Sequence, residues 1–240
     1  MTAALSHEAL GLLEIDGVPR AVRAQDAALK KAAVDVLACA PVSPGKVVLI
    51  MAGAIADVEE SLAAAEYVAG SALIDRLLLP GVHPAVLAAL VGEKQPRGKE
   101  ALAVLELTSV AAALGSADAA VKAAQVTLGR MHLATGFGGK AYFTLWGAQC
   151  DVEAAVAATQ ELAGERLRDV EIIAAPHDEL EQTLVARPWP LDPADVLSFG
   201  GQPTPPAPSA PYAQAKASPR SSRPPGPRKQ QAAPARRKRR

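Results

Sequence analysis

Aromatic residues are scarce in this chain: three Phe, three Tyr and two Trp make up 3% of 240 residues. That shortage leaves few large core anchors and few platforms on which bases could stack. Cysteine is scarcer still. Cys39 and Cys150 are the only two, too few for a disulfide framework. Long apolar runs are also missing. Stretches such as residues 47–56 extend about ten residues between charges, half of the roughly 20 that a membrane helix needs. Residues 1–10 have neither the basic region nor the long apolar region of a secretory signal, so a soluble cytoplasmic protein is expected. No P-loop, G-x-G-x-x-G or Ser/His/Asp set is visible, and no enzymatic activity is expected.

What the chain does have is a real apolar content, 50% of its residues, supplied mostly by Ala, Val and Leu. Its formal net charge of zero hides a segregation. Residues 203–240 carry ten basic side chains and no acidic one, which leaves 15 basic against 25 acidic residues in the part before them. Such asymmetry bears on partners rather than on fold.

The sequence is also written twice. ALGLLEI at 9–15 returns as ALAVLEL at 101–107, and AQDAALKKAAV at 24–34 as SADAAVKAAQV at 116–126, both at an offset of 92. The 27 residues from Pro44 return from Gly138 at an offset of 94, and His83 returns as His177. Charges repeat along with the apolar residues: Glu14/Glu106, Asp26/Asp118, Lys30/Lys122, Lys46/Lys140 and Asp57/Asp151. Composition alone would not match charges and glycines through so long a stretch.

Within each copy the periodicity is readable. ALGLLEI has strand length. Val18, Val22, Leu29 and Ala33 then define one face of an amphipathic helix, and Val110, Leu114 and Val121 repeat it. Two strands flank the Pro/Gly break at 41–45, the second being KVVLIMAG. Val58, Leu62, Ala65 and Ala69 stripe a second helix, with Asp57 suited to its N-terminal end. A strand near 74–79 and a short helix near 84–90 complete the unit. The fold class is therefore α/β (α+β), with two tandem ferredoxin-like βαββαβ-type domains at 1–92 and 101–186. A polar linker, 93–100, joins them, and a Pro-rich basic tail at 187–240 is expected to be disordered.

The ordered set ALGLLEI, DAALKKAAV, the PGK turn, AG-x-x-x-DVE and a closing A-P-H resembles the bacterial microcompartment shell domain. Two copies in succession resemble its tandem-domain, trimer-forming members. The resemblance covers residues 9–185. It implies a homotrimer that mimics a six-domain ring, possible stacking of two trimers, and tiling with shell hexamers and pentamers. It also implies a central pore for small metabolites, lined by Ser43, Pro44 and Gly45 from one copy and Phe137, Gly138 and Gly139 from the other. Small residues and backbone amides there suit small, uncharged or weakly anionic molecules. Read without the resemblance, the same glycines and proline are simply tight turns. Lys30 and Lys122 match the family's edge lysine at contacts between tiles, against a plainer reading as solvated helix residues. The arginine that often precedes the closing Pro-His is absent, where this chain has Gly81 and Ala174 or Ala175.

Some relatives hold an iron–sulfur cluster on a pore-loop cysteine. Here Cys39 lies five residues before Pro44, Cys150 lies beside a helix start, and the two are not equivalent in the repeat. No cofactor is expected, and both are read as packed small apolar residues. His83 and His177 belong to one closing turn in separate copies, without further ligands at metal spacing, so no metal site is expected. The alternative function is a ferredoxin-like regulatory protein that binds a small effector. For the tail, three readings stand together: nonspecific contact with nucleic acid, contact with acidic surfaces, or no partner.

Overall fold

In a computed structural model, the structure describes residues 7–90, 100–178 and 180. The linker at 93–99 and the basic tail from 187 lie outside the described residues.

The first copy runs β1 (Ala9–Asp16), α1 (Val18–Lys31), β2 (Asp35–Val42), β3 (Lys46–Gly53), α2 (Ile55–Ala69), β4 (Leu73–Pro80) and α3 (Pro84–Leu90). The second runs β5 (Ala101–Leu107), α4 (Val110–Ala123), β6 (Thr127–Leu133), β7 (Ala141–Gly147), α5 (Gln149–Ala163) and β8 (Leu167–Ala174). Each copy forms one four-stranded antiparallel sheet, ordered β2-β3-β1-β4 and β6-β7-β5-β8. That is the ferredoxin-like order expected from the repeat.

β1 and β3 are buried along almost their whole length, and so read as unbroken apolar runs rather than alternating ones. One face of the first sheet, with Leu13, Leu49 and Met51, packs on Ala21, Ala24 and Ala28 of α1 and on Val58, Leu62 and Ala65 of α2. The opposite face, with Leu10, Leu12, Val48 and Ile50, joins Val86 and Leu90 of α3 in a core continuous with Val110, Leu114 and Val121 of α4. The two copies thus share one core cluster. Gly115 of α4 makes that contact close: a Cβ there would lie 3.3 Å from Leu77 Cδ1 on β4.

The α2 stripe lies in the core as expected, but the α1 stripe does not. Val18, Val22 and Leu29 are 52%, 49% and 44% exposed, and Ala33 falls beyond the end of the helix. The α1 residues that face the sheet are Ala21, Ala24, Gln25 and Ala28. In the second copy both faces of the helix are covered, because domain one packs on Val110, Leu114 and Val121. The same stripe is therefore buried once and open once.

Candidate functional site

The loop Ser43-Pro44-Gly45 connects β2 to β3, and Phe137-Gly138-Gly139 lies between β6 and β7. The fold brings these two loops together. Gly136 N donates to Ser43 Oγ at 3.2 Å, and Lys46 Nζ donates to Gly139 O at 3.1 Å. Gly139 has φ +85°, and a Cβ on it would stand 3.1 Å from Pro44 Cδ, so this position needs glycine on both counts. Pro44, Gly45 and Gly138 are exposed, while Gly139 is buried. An open cavity of about 320 Å³ lies beside them, with Asp16, Lys46, Ile74 and Thr108 also in its wall.

Phe137 is half-buried rather than free. Its ring meets His132 and Tyr142 edge-on, each at 5.8 Å between centroids, and Lys140 Nζ sits 4.3 Å over it. His132 and Tyr142 stand opposite each other on β6 and β7, and Tyr142 is held above the usual phenol range by burial, partly offset by Arg130. His132 also bonds Thr135 O at 2.8 Å, which ties the loop to the strand. Sequence reasoning missed His132 and Tyr142. Only the register of β6 against β7 pairs them, and nothing in the first copy matches.

Below the loops, Glu14 is fully buried and ion-paired with Lys46, and its other oxygen accepts Ala111 N of α4 at 2.9 Å. A carboxylate at a helix N-terminus is favourably placed. Asp75 of β4 accepts Ser109 Oγ at 2.8 Å and is ion-paired with Arg166. Ser109 also caps α4 by accepting Ala112 N at 3.1 Å. These bonds fasten the first domain to the second.

Lys30 and Lys122 each pair with an aspartate one helical turn earlier, at 2.6 Å to Asp26 and 2.5 Å to Asp118. Lys30 is 73% exposed and Lys122 41%. Asp118 has a second role, because its Oδ1 accepts His83 N at 2.8 Å across the domain joint.

His83 Nδ1 accepts Ala85 N at 3.2 Å, a local bond at the start of α3. Cys39 sits half-buried on β2 opposite Leu49, and burial raises its thiol pKa. Cys150 is exposed at the start of α5, which corrects the expectation that both cysteines are packed: residue 150 falls on the solvent side of the helix. Among the described residues, no cluster of three or more His, Cys, Asp or Glu could hold a metal ion, and no helix is long and apolar enough to cross a membrane.

The BMC domain family model matches residues 9–82 and again residues 101–176. A curated relative, the bacterial microcompartment shell protein PduT of Citrobacter freundii, is 38% identical over 180 residues, covering 74% of this chain and 98% of its own length. A crystal structure of a microcompartment protein from Desulfitobacterium hafniense is similar at a TM-score of 0.68 and 39% identity. It covers 72% of this chain and 98% of that one.

Proposed function

Because this chain belongs to the bacterial microcompartment shell family, with two BMC domains in tandem, we propose that it closes into a ring of three chains which tiles into a shell around a small-metabolite pore. The two domains are taken as 1–92 and 101–186, followed by the tail at 187–240. A structural shell role is what the matched relatives support; a regulatory effector-binding role finds no support among them. That role calls for no catalytic group. The compartment in question is a protein-bounded one in the cytoplasm.

One observation carries the ring. The apolar face of α4 is buried on the first domain, while the matching face of α1, with Val18, Val22 and Leu29, is half exposed. An open groove beside it is walled by Pro19, Val22, Arg23 and Leu29. Repeating the internal joint between chains covers that face with the second domain of a neighbour. A heterologous contact repeated by a rotation that closes, here one of a third of a turn, gives a ring. Three two-domain chains give the six-domain circuit of the shell family.

The paired loops lend support to the pore. They lie side by side in one chain, so a threefold axis near them alternates Ser43-Pro44-Gly45 with Phe137-Gly138-Gly139. Exposed glycine amides and small side chains suit small uncharged or weakly anionic metabolites. Lys30 and Lys122 are assigned to the outer edges, against hexameric and pentameric shell neighbours. Stacking of two such rings is compatible with this arrangement.

The test is a mass measurement by light scattering over a dilution series, together with negative-stain imaging for sheets. Trimers that extend into sheets are expected. A stable monomer at high concentration would overturn the ring.

A further inference from the structure

The internal joint serves as a template for the joint between chains, and the two differ in charge. Each residue at the internal joint has a repeat counterpart, at an offset of 92 in β1 and α1 and 94 in β4. Inside the chain, Gly115 of α4 rests on Leu77 of β4, the Cβ position lying 3.3 Å from Leu77 Cδ1. The counterparts are Arg23 on α1 and Glu171 on β8, both exposed. Inside the chain, Thr108 and Ile74 share the wall of the cavity beside the loops. Their counterparts are Asp16 and Arg168, again both exposed. One neutral contact and one neutral pair across a cavity within the chain thus have oppositely charged counterparts between chains.

Resting on the ring proposed above, we infer that neighbouring chains are joined by two crossed ion pairs: Arg23 of one chain with Glu171 of the next, and Asp16 with Arg168. The signs are opposed. The first domain contributes a cation at one pair and an anion at the other, and the second domain supplies the complements. This pattern fits a second copy of the same chain. It places like charges together when a differently charged partner is offered, which is how charge patterns exclude wrong partners. Side-chain length agrees with the substitution. Arginine for isoleucine, at Arg168 for Ile74, reaches across a cavity that the neutral pair leaves open. Arg168 Nε already holds Glu106 Oε1 at 3.0 Å, which leaves the terminal guanidinium nitrogens for a second carboxylate.

The crossed pairs also stand in for what this joint lacks. Pro19 occupies the place of Ala111 and has no N–H for Glu106 to accept, and Gly17 and Ala72 replace Ser109 and Arg166. These bonds of Glu14 and Asp75 at the internal joint cannot be repeated between chains. Charge complementarity at two other positions takes their place.

The experiment is charge reversal in the full chain, with ring association read by sedimentation equilibrium. Arg23→Glu and Glu171→Arg, made singly, are each expected to weaken association about tenfold or more. The double variant Arg23→Glu/Glu171→Arg returns it to within about threefold of the parent. Asp16→Arg and Arg168→Asp behave in the same way. A second measurement avoids reversal altogether: in a Cys150→Ser background, Arg23→Cys/Glu171→Cys forms disulfide-linked dimers and trimers on oxidation. If the parent assembles but single reversals associate as tightly, or doubles recover nothing, or no cross-link forms, the crossed pairs are wrong while the ring stands. If the parent itself stays monomeric, it is the ring that fails.

Discussion

Val22 and Leu114 occupy the same position in the two copies, yet truncating them should act on different equilibria. Leu114 is fully buried within the chain, whereas Val22 is 49% exposed. Leu114→Ala removes side-chain carbons from a packed core and is expected to lower unfolding stability by about 2–5 kcal/mol. Val22→Ala removes two carbons that are about half covered already. At about 0.8 kcal/mol per buried carbon, completing their burial contributes roughly 0.8 kcal/mol at each joint. Three joints give about 2.4 kcal/mol, or roughly a fiftyfold loss in the trimer association constant. The fold of the single chain should change by less than about 1 kcal/mol. Urea unfolding reports the first quantity and a sedimentation dilution series the second. If Val22→Ala left association unchanged, or cost as much in unfolding as Leu114→Ala, then the α1 face would not be the covered surface.

Two further outcomes follow from the buried and half-buried ionisable groups. Glu14→Ala leaves Lys46 without its carboxylate in a buried site, and the loss is expected to be about 3–5 kcal/mol, read as a lower urea midpoint at unchanged slope; a loss under about 1 kcal/mol would mean that water reaches Lys46. Burial raises the Cys39 thiol pKa, so less thiolate is present at any pH, and iodoacetamide at mildly alkaline pH should modify exposed Cys150 first, as followed by mass spectrometry. Linkage gives the matching sign: because the folded pKa lies above the unfolded one, the neutral thiol's contribution is full below the unfolded value and is lost as pH rises through the folded one. Equal labelling rates would contradict the burial.

Much of the fold was legible because its signals are local. The strand length of ALGLLEI, the Val58/Leu62/Ala65/Ala69 stripe and the PGK turn each specify an element from neighbouring residues. The duplication then supplies the architecture, since each copy repeats the same order of strands and helices. The loops were legible too, as glycine and proline between apolar strands. Their mutual contact through Ser43, Gly136, Lys46 and Gly139 was not, because it depends on how one domain sits on the other. His132, Tyr142 and Phe137 come together only through strand register. Cys150 was misjudged because a single residue at a helix start carries no periodicity.

The repeated sequence is enough to specify two equivalent domains, with equivalent apolar stripes on α1 and α4. It could not say which stripe finds a partner. A helix face records only that it is apolar; what covers it depends on which surface the chain brings to it. Here the first domain lies within reach of the α4 stripe and covers it, while the Val18, Val22 and Leu29 face of α1 stays about half exposed among the described residues. That difference arises from how the two domains pack, and it turns a symmetric repeat into a unit with one filled face and one open one.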